Sequence, residues 1–184
     1  LFGDTEKYSW GTSKVPDRRD VISADRLISL ANAYLDTKQK NDGVVIGPFS
    51  PACRMFENGQ LIVSKTGNGT DSSCKALLER KYFRGVGAIR DRRFPVAQPS
   101  TGIVVSFYQQ DLPARAAQDA KVPTEPERAR FPQTRSIMEV IRVMEGSIQR
   151  IDTISVYQPY RMKSGWPKKC ATERVTTTCR EGKG

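Results

Sequence analysis

Histidine is absent from the 184 residues. That excludes Ser-His-Asp and Cys-His nucleophile systems and any metal site built on imidazole. No apolar run approaches the ~20 residues that cross a bilayer, so no membrane span is expected. There is no P-loop, no G-x-G-x-x-G fingerprint and no internal repeat. Cysteine is scarce, at four residues, and neither sequence-local pair has the spacing of a zinc site. No metal and no cofactor are therefore expected, which leaves carboxylates, Tyr, Arg and pocket shape to carry any chemistry.

What is present suits one domain with one core, with a hydrophobic fraction of 38%. The net charge is +10, from 30 Lys+Arg against 20 Asp+Glu. The basic residues are scattered over Arg18-Arg19, Arg90 to Arg93, Arg128 to Arg135 and Lys168-Lys169. No recognition helix or RNA-binding aromatic signature accompanies them, so a solvated basic surface is expected and no nucleic-acid partner. Cys53, Cys74, Cys170 and Cys179 can pair in three ways. The sequence-local pairing, Cys53 with Cys74 and Cys170 with Cys179, is the expectation. The first bond would tie the loop after the first helix to the next helix, and the second would close a loop in the tail. With the acceptor sequon at Asn68 (Asn68-Gly69-Thr70), the cysteines point to a glycosylated, secreted chain. Leu1-Phe2-Gly3 fits a chain that begins just after a removed signal peptide.

Along the chain, residues 1–22 read as an extended lead-in, 23–167 as the pocket domain and 168–184 as a C-terminal tail. Ser23 offers an N-cap and Asp25 an acid in the first turn. Leu27, Leu30, Ala31, Tyr34 and Leu35 then form one apolar helical stripe, stopped at Asn41-Asp42-Gly43 with Gly as the left-handed cap. Pro48, Pro51 and Glu57-Asn58-Gly59 mark an irregular stretch before a short strand, residues 60–64. Asp71-Ser72-Ser73 can cap a short helix over 74–81. Period-two patterns predict strands over 84–94 and 102–109, and a hairpin of 136–144 with 148–157 around Glu145-Gly146. The Pro-rich stretch 111–134 reads as a lid, a binding loop or a disordered excursion. Helices followed by a run of strands argue for an α+β fold.

The hairpin can be counted. If Glu145-Gly146 is a two-residue turn, Glu139 falls opposite Asp152. Like charges so placed need compensation, either a raised pKa, as in a general acid/base pair, or an intervening Arg such as Arg150. A one-residue shift would instead put the two acids on opposite faces. On the preceding basic strand, strict alternation puts Arg90 and Arg92 on one face, where they could line a wet cavity and orient a carboxylate or enolate oxygen, or else the strand is a partly exposed sheet edge. Tyr34, Tyr108, Tyr157 and Tyr160 are core rings that also suit a pocket holding an apolar ligand through one or two phenol hydrogen bonds.

Several strings together resemble the NTF2-like (SnoaL-like) superfamily, and within it a fungal and bacterial subgroup of domains of unassigned function. They are residues 27–35 with Asn41-Asp42-Gly43; Phe56-Glu57-Asn58-Gly59; residues 90–96; Glu139-Val140-Ile141; Gly146-Ser147-Ile148; and residues 160–166. The resemblance implies a cone-shaped barrel of α+β class, a curved antiparallel sheet roofed by the N-terminal helix, with a pocket between them. It implies acidic positions at Glu139 and Asp152 and a basic strand at Arg90 and Arg92. Members often dimerise through the outer sheet face, so a homodimer is among the expectations. The departure is at Tyr108-Gln109-Gln110-Asp111, where relatives are expected to read closer to Phe-Phe-Asp-His; without that His, a His-dependent dehydratase mechanism is in doubt.

Superfamily members span dehydratases, isomerases, cyclases, epoxide hydrolases and carriers, so fold does not fix function. The expected function is a small cofactor-independent enzyme of specialised metabolism, a cyclase or isomerase (pericyclic cyclisation included) or a lyase. Its partner would be an apolar polyketide- or terpenoid-like small molecule. The candidate catalytic residues are Glu139, Asp152, Arg90 and Tyr108; Tyr34, Arg92, Asp111, Tyr157 and Tyr160 would bind substrate. The rival is a secreted, non-catalytic binding protein or effector that uses its basic surface.

Overall fold

The computed structural model describes residues 21–62, 73–83, 85–113 and 131–166. The expectations for Asn68, Cys170 and Cys179, most of the lead-in and the 168–184 tail lie outside those residues.

Helix α1 spans Ala24–Lys40, and its start follows from its sequence: the Ser23 hydroxyl accepts the Arg26 N–H at 3.2 Å. Leu27, Leu30, Ala31, Tyr34 and Leu35 are buried as the stripe requires, and the stripe runs one turn further to bury Lys38. The stop differs from expectation. Asn41 itself, at φ 45°, is the left-handed cap, and its backbone N–H donates to the Thr37 carbonyl. Asn tolerates that region because its short polar side chain can bond locally.

Residues 48–59 are not irregular. Phe49–Glu57 form strand β1, and Asn58-Gly59, both at positive φ, turn it into a two-residue strand β2, Gln60–Leu61. Pro51 is accommodated because the pairing of β1 with its neighbour slips between Phe49 and Arg54. Cys53 therefore stands on a strand, not in a loop, and bonds to Cys74 at the start of helix α2, Cys74–Glu79.

Strands β3 (Ala88–Gln98), β4 (Ile103–Leu112), β5 (Gln133–Met144) and β6 (Ser147–Pro159) complete one curved sheet in the order β2-β1-β6-β5-β4-β3. β1 runs parallel to β6 and the other neighbours are antiparallel, so the sheet is mixed rather than wholly antiparallel. β3 begins later than expected and runs through Pro95, which an edge strand tolerates. Helix α1 covers one face, where Leu27, Leu30 and Leu35 share the core with Val104, Ile141, Ile148 and Ile151. This is the α+β arrangement that the sequence implied.

Two bulges decide which side chains face that core. Glu145-Gly146 turns as expected, at φ 50° and 72°, and Met144 pairs with Ser147. The register then shifts between Val143 and Arg142, so Glu139 faces Thr153 and Val140 faces Asp152. Glu139 and Asp152 lie on opposite faces of the sheet, and the carboxylate pair does not form. In β3 the register shifts after Arg90, with Asp91 at φ 55°. Arg90 and Arg92 are consequently sent to opposite faces as well.

The disulfide joins residues 21 apart in sequence. Replacing both Cys53 and Cys74 by Ser should cost about 3 kcal/mol by loop-closure entropy, read as a lowered urea midpoint with unchanged helix content. An unchanged midpoint would show that the bond does not constrain the unfolded chain.

Candidate functional site

Under the last turns of α1, a carboxylate is held out of water by four side-chain donors. Glu139 is fully buried. Its Oε1 accepts Thr153 Oγ1 at 2.8 Å, Tyr34 OH at 3.2 Å and Lys38 Nζ at 3.3 Å. Among the described residues its Oε2 accepts only Tyr108 OH, at 3.0 Å. Lys38 Nζ also donates to Tyr108 OH at 2.8 Å, so the phenol links ammonium to carboxylate. The Lys38 charge lies 4.7 Å from the centre of the Phe83 ring, a favourable place for a desolvated cation.

The placement follows from two periods. Tyr34 and Lys38 are four apart on α1 and stack on its inner face. Tyr108 and Glu139 point inward from β4 and β5, and Thr153 is brought opposite Glu139 by the β6 bulge. Burial, then the Glu139 charge and hydrogen bonds, hold both the Tyr34 and Tyr108 phenols well above the ordinary 10.0. Next along the inner face lies Arg135, also buried; it bonds Ser155 Oγ at 2.7 Å, pairs with Glu57 and lies over the Tyr157 ring at 5.6 Å.

The other candidates are elsewhere. Arg90 clasps both oxygens of Asp111, at 2.9 and 3.0 Å, and donates to the Met162 carbonyl at 2.8 Å. Burial raises the Asp111 pKa, but the hydrogen bonds of Arg90 and Thr134 more than offset it and leave that carboxyl below its usual value. Arg92 reaches Asp36 on α1 at 2.6 Å. Asp152 is held by Arg150 at 2.6 and 2.8 Å. Tyr160 is exposed in the turn after β6. The structure thus unites Glu139, Tyr34 and Tyr108, and keeps Arg90, Arg92, Asp111, Asp152 and Tyr160 away from them.

The space in which the resemblance put a pocket holds the side chains of Tyr34, Lys38, Tyr108 and Glu139, each at most 2% exposed. A groove of about 220 Å3 lies instead on the other face of the sheet, lined by Phe107, Gln109, Met138, Ile154, Val156 and Trp166 among others. Among the described residues no group of three or more His, Cys, Asp and Glu could hold a metal ion. Lys38, Arg135 and Thr153 were missed in the sequence. For Lys38 a signal existed: it occupies the next position of the apolar stripe, four after Tyr34.

The sequence profile of the family described as "Domain of unknown function (DUF8021)" matches residues 20–155. No curated protein matches the sequence. Among solved structures, a Bacillus subtilis protein described as a candidate isomerase superposes with a TM-score of 0.50 at 9% identity, over 73% of this chain and 90% of that one. An NTF2-like protein of unknown function from Cytophaga hutchinsonii gives 0.47 at 9% identity, over 72% and 98%. AusH from Aspergillus nidulans gives 0.46 at 12% identity, over 77% and 86%. The fold is NTF2-like, a curved six-stranded sheet under α1. At these identities the likeness concerns the fold alone.

Lys38→Met leaves a buried carboxylate without its cation and should cost about 3–5 kcal/mol. Adding Glu139→Gln should recover part of that loss in a urea double-mutant cycle; strictly additive costs would mean that the two groups do not interact. Neutral phenols are favoured in the fold, so the Tyr34 and Tyr108 contribution is complete below pH ~10 and is lost as pH rises beyond it. In an absorbance titration these two of the six tyrosines should ionise only as the fold opens. Ionisation of all six with native circular dichroism would contradict this.

Proposed function

We propose that this chain, which belongs to the DUF8021 family of domains of unknown function, is a cofactor-independent isomerase or cyclase acting on an apolar, polyketide- or terpenoid-like carbonyl compound in the secretory route. The observation that carries the reading is the Glu139 carboxylate, held under α1 with one oxygen crowded by three donors and the other accepting, among the described residues, only Tyr108. Glu139 Oε2 keeps a lone pair and is the base. It takes a proton from the carbon beside the substrate carbonyl and returns it at another carbon, so the net change is isomerisation. The Lys38 ammonium is the positive charge beside the enolate that forms in between, and Tyr108 passes hydrogen bonding between the two. Such stabilisation is strongest where water is excluded. Substrate reaches the cluster only when the side chains that cover it move aside.

The same burial favours a second reading. If the cluster never opens, it is structural, and the chain is a binding protein that acts through its exterior.

Deuterium exchange separates the two. A panel of apolar enolisable ketones is incubated with the protein in D2O and read by mass spectrometry. Exchange at the carbon beside the carbonyl of at least one compound is expected, and Glu139→Gln should slow it by about 10²-fold or more. No exchange by the wild-type protein, or equal exchange by a folded Glu139→Gln variant, would sink the catalytic reading.

A further inference from the structure

Gln109 and Gln110 are neighbours on β4 that point to opposite faces, and only one has its needs met. Gln109 exchanges hydrogen bonds with Ser136 at 2.7 and 3.0 Å on the outer face. Gln110 is fully buried on the inner face, and neither its Oε1 nor its Nε2 has a hydrogen-bond partner among the described residues. An apolar residue of the same size would avoid that cost entirely, and buried amides with both ends unmade are rare in folded proteins. The position is close to the cluster: two residues along β4 from Tyr108, and directly across the sheet from Arg135. Arg135 in turn faces Tyr157, so a row of three polar side chains crosses β4, β5 and β6.

We propose that Gln110 is the substrate-recognition residue of the interior site, a role that rests on the reading of that interior as a substrate site. A primary amide offers a carbonyl and an N–H along one edge. Its full partner is a planar group with an acceptor and a donor side by side, as in a lactam or an un-ionised carboxylic acid. Gln110 Nε2 donates to the ligand carbonyl, and Gln110 Oε1 accepts the ligand N–H or O–H. A hydrocarbon or an ester meets only half of this requirement or none of it. The site therefore selects an otherwise apolar molecule with one lactam or carboxyl group.

The probes are 3,4-dihydro-2-quinolinone, its N-methyl derivative and 3-phenylpropanoic acid, titrated into the full chain by calorimetry. The lactam should bind at least tenfold more tightly than the N-methyl compound, and Gln110→Met should erase that difference. Acid binding that rises as pH falls through the acid's own pKa would point to the carboxyl source; lactam binding alone points to the cis-amide. Gln110→Met should leave the thermal midpoint unchanged or raised. Equal binding of the two lactams, no binding of any probe by the wild-type protein, or a Gln110→Met variant that is less stable yet binds as before would overturn the proposal. The last result is the mark of an amide bridged by structural water. Glu139-dependent exchange without a Gln110 effect removes this inference alone, whereas Gln110-dependent binding without exchange keeps it and removes the catalytic reading.

Discussion

The ion pair between Lys38 and Glu139 is the contact around which the interior is organised. Taking both charges out of water costs several kcal/mol each, and the pair is tolerated only if the remaining lone pairs and protons are also used. Tyr34, Tyr108 and Thr153 supply what the carboxylate needs, and the Phe83, Tyr34 and Tyr108 rings surround the ammonium. Removing one member strands another, so α1, β4, β5 and β6 are coupled through a single polar knot. Well-packed apolar residues of similar volume would serve stability as well or better. That such a costly arrangement persists at the centre of the molecule is a physical reason to look there for chemistry.

Much of the frame could be read from local signals. The apolar stripe of α1, its Ser23 cap, the Glu145-Gly146 turn and the Cys53–Cys74 bond each rest on short-range chemistry, and each is present. The Asn58-Gly59 turn carried an equally strong hairpin signal, but the flanking prolines obscured strand β1, whose pairing is set by a distant strand, β6. Lys38 was legible in principle, because a charge on a buried stripe needs a buried partner. What could not be read was the β6 bulge. A one-residue slip reverses the facing of every side chain beyond it, and no local pattern around Gln149 announces the slip.

That slip has an electrostatic logic. Without it Glu139 would face Asp152, setting two carboxylates side by side in the interior. With it the interior receives Thr153, a neutral donor to Glu139, while Asp152 meets Arg150 on the other face. The bulge at Asp91 sorts β3 in the same way. Arg92 turns to Asp36 on α1, and Arg90 turns to Asp111, which also accepts Thr134; that hydroxyl takes the Arg161 N–H and anchors the chain leaving β6.

The charge count of the interior also limits what could occupy it. Lys38 and Glu139 cancel, and Arg135 is answered by Glu57 at the neighbouring edge. An ionised ligand would bring one uncompensated charge into a region where desolvation is expensive and Coulomb terms are large. A neutral one disturbs nothing that the protein has already balanced. Among the polar atoms there whose hydrogen bonding the described residues leave unmet, the two ends of the Gln110 amide are also neutral. Charge balance and unmet hydrogen bonding therefore favour the same kind of guest: apolar over most of its surface, uncharged, and polar at one edge.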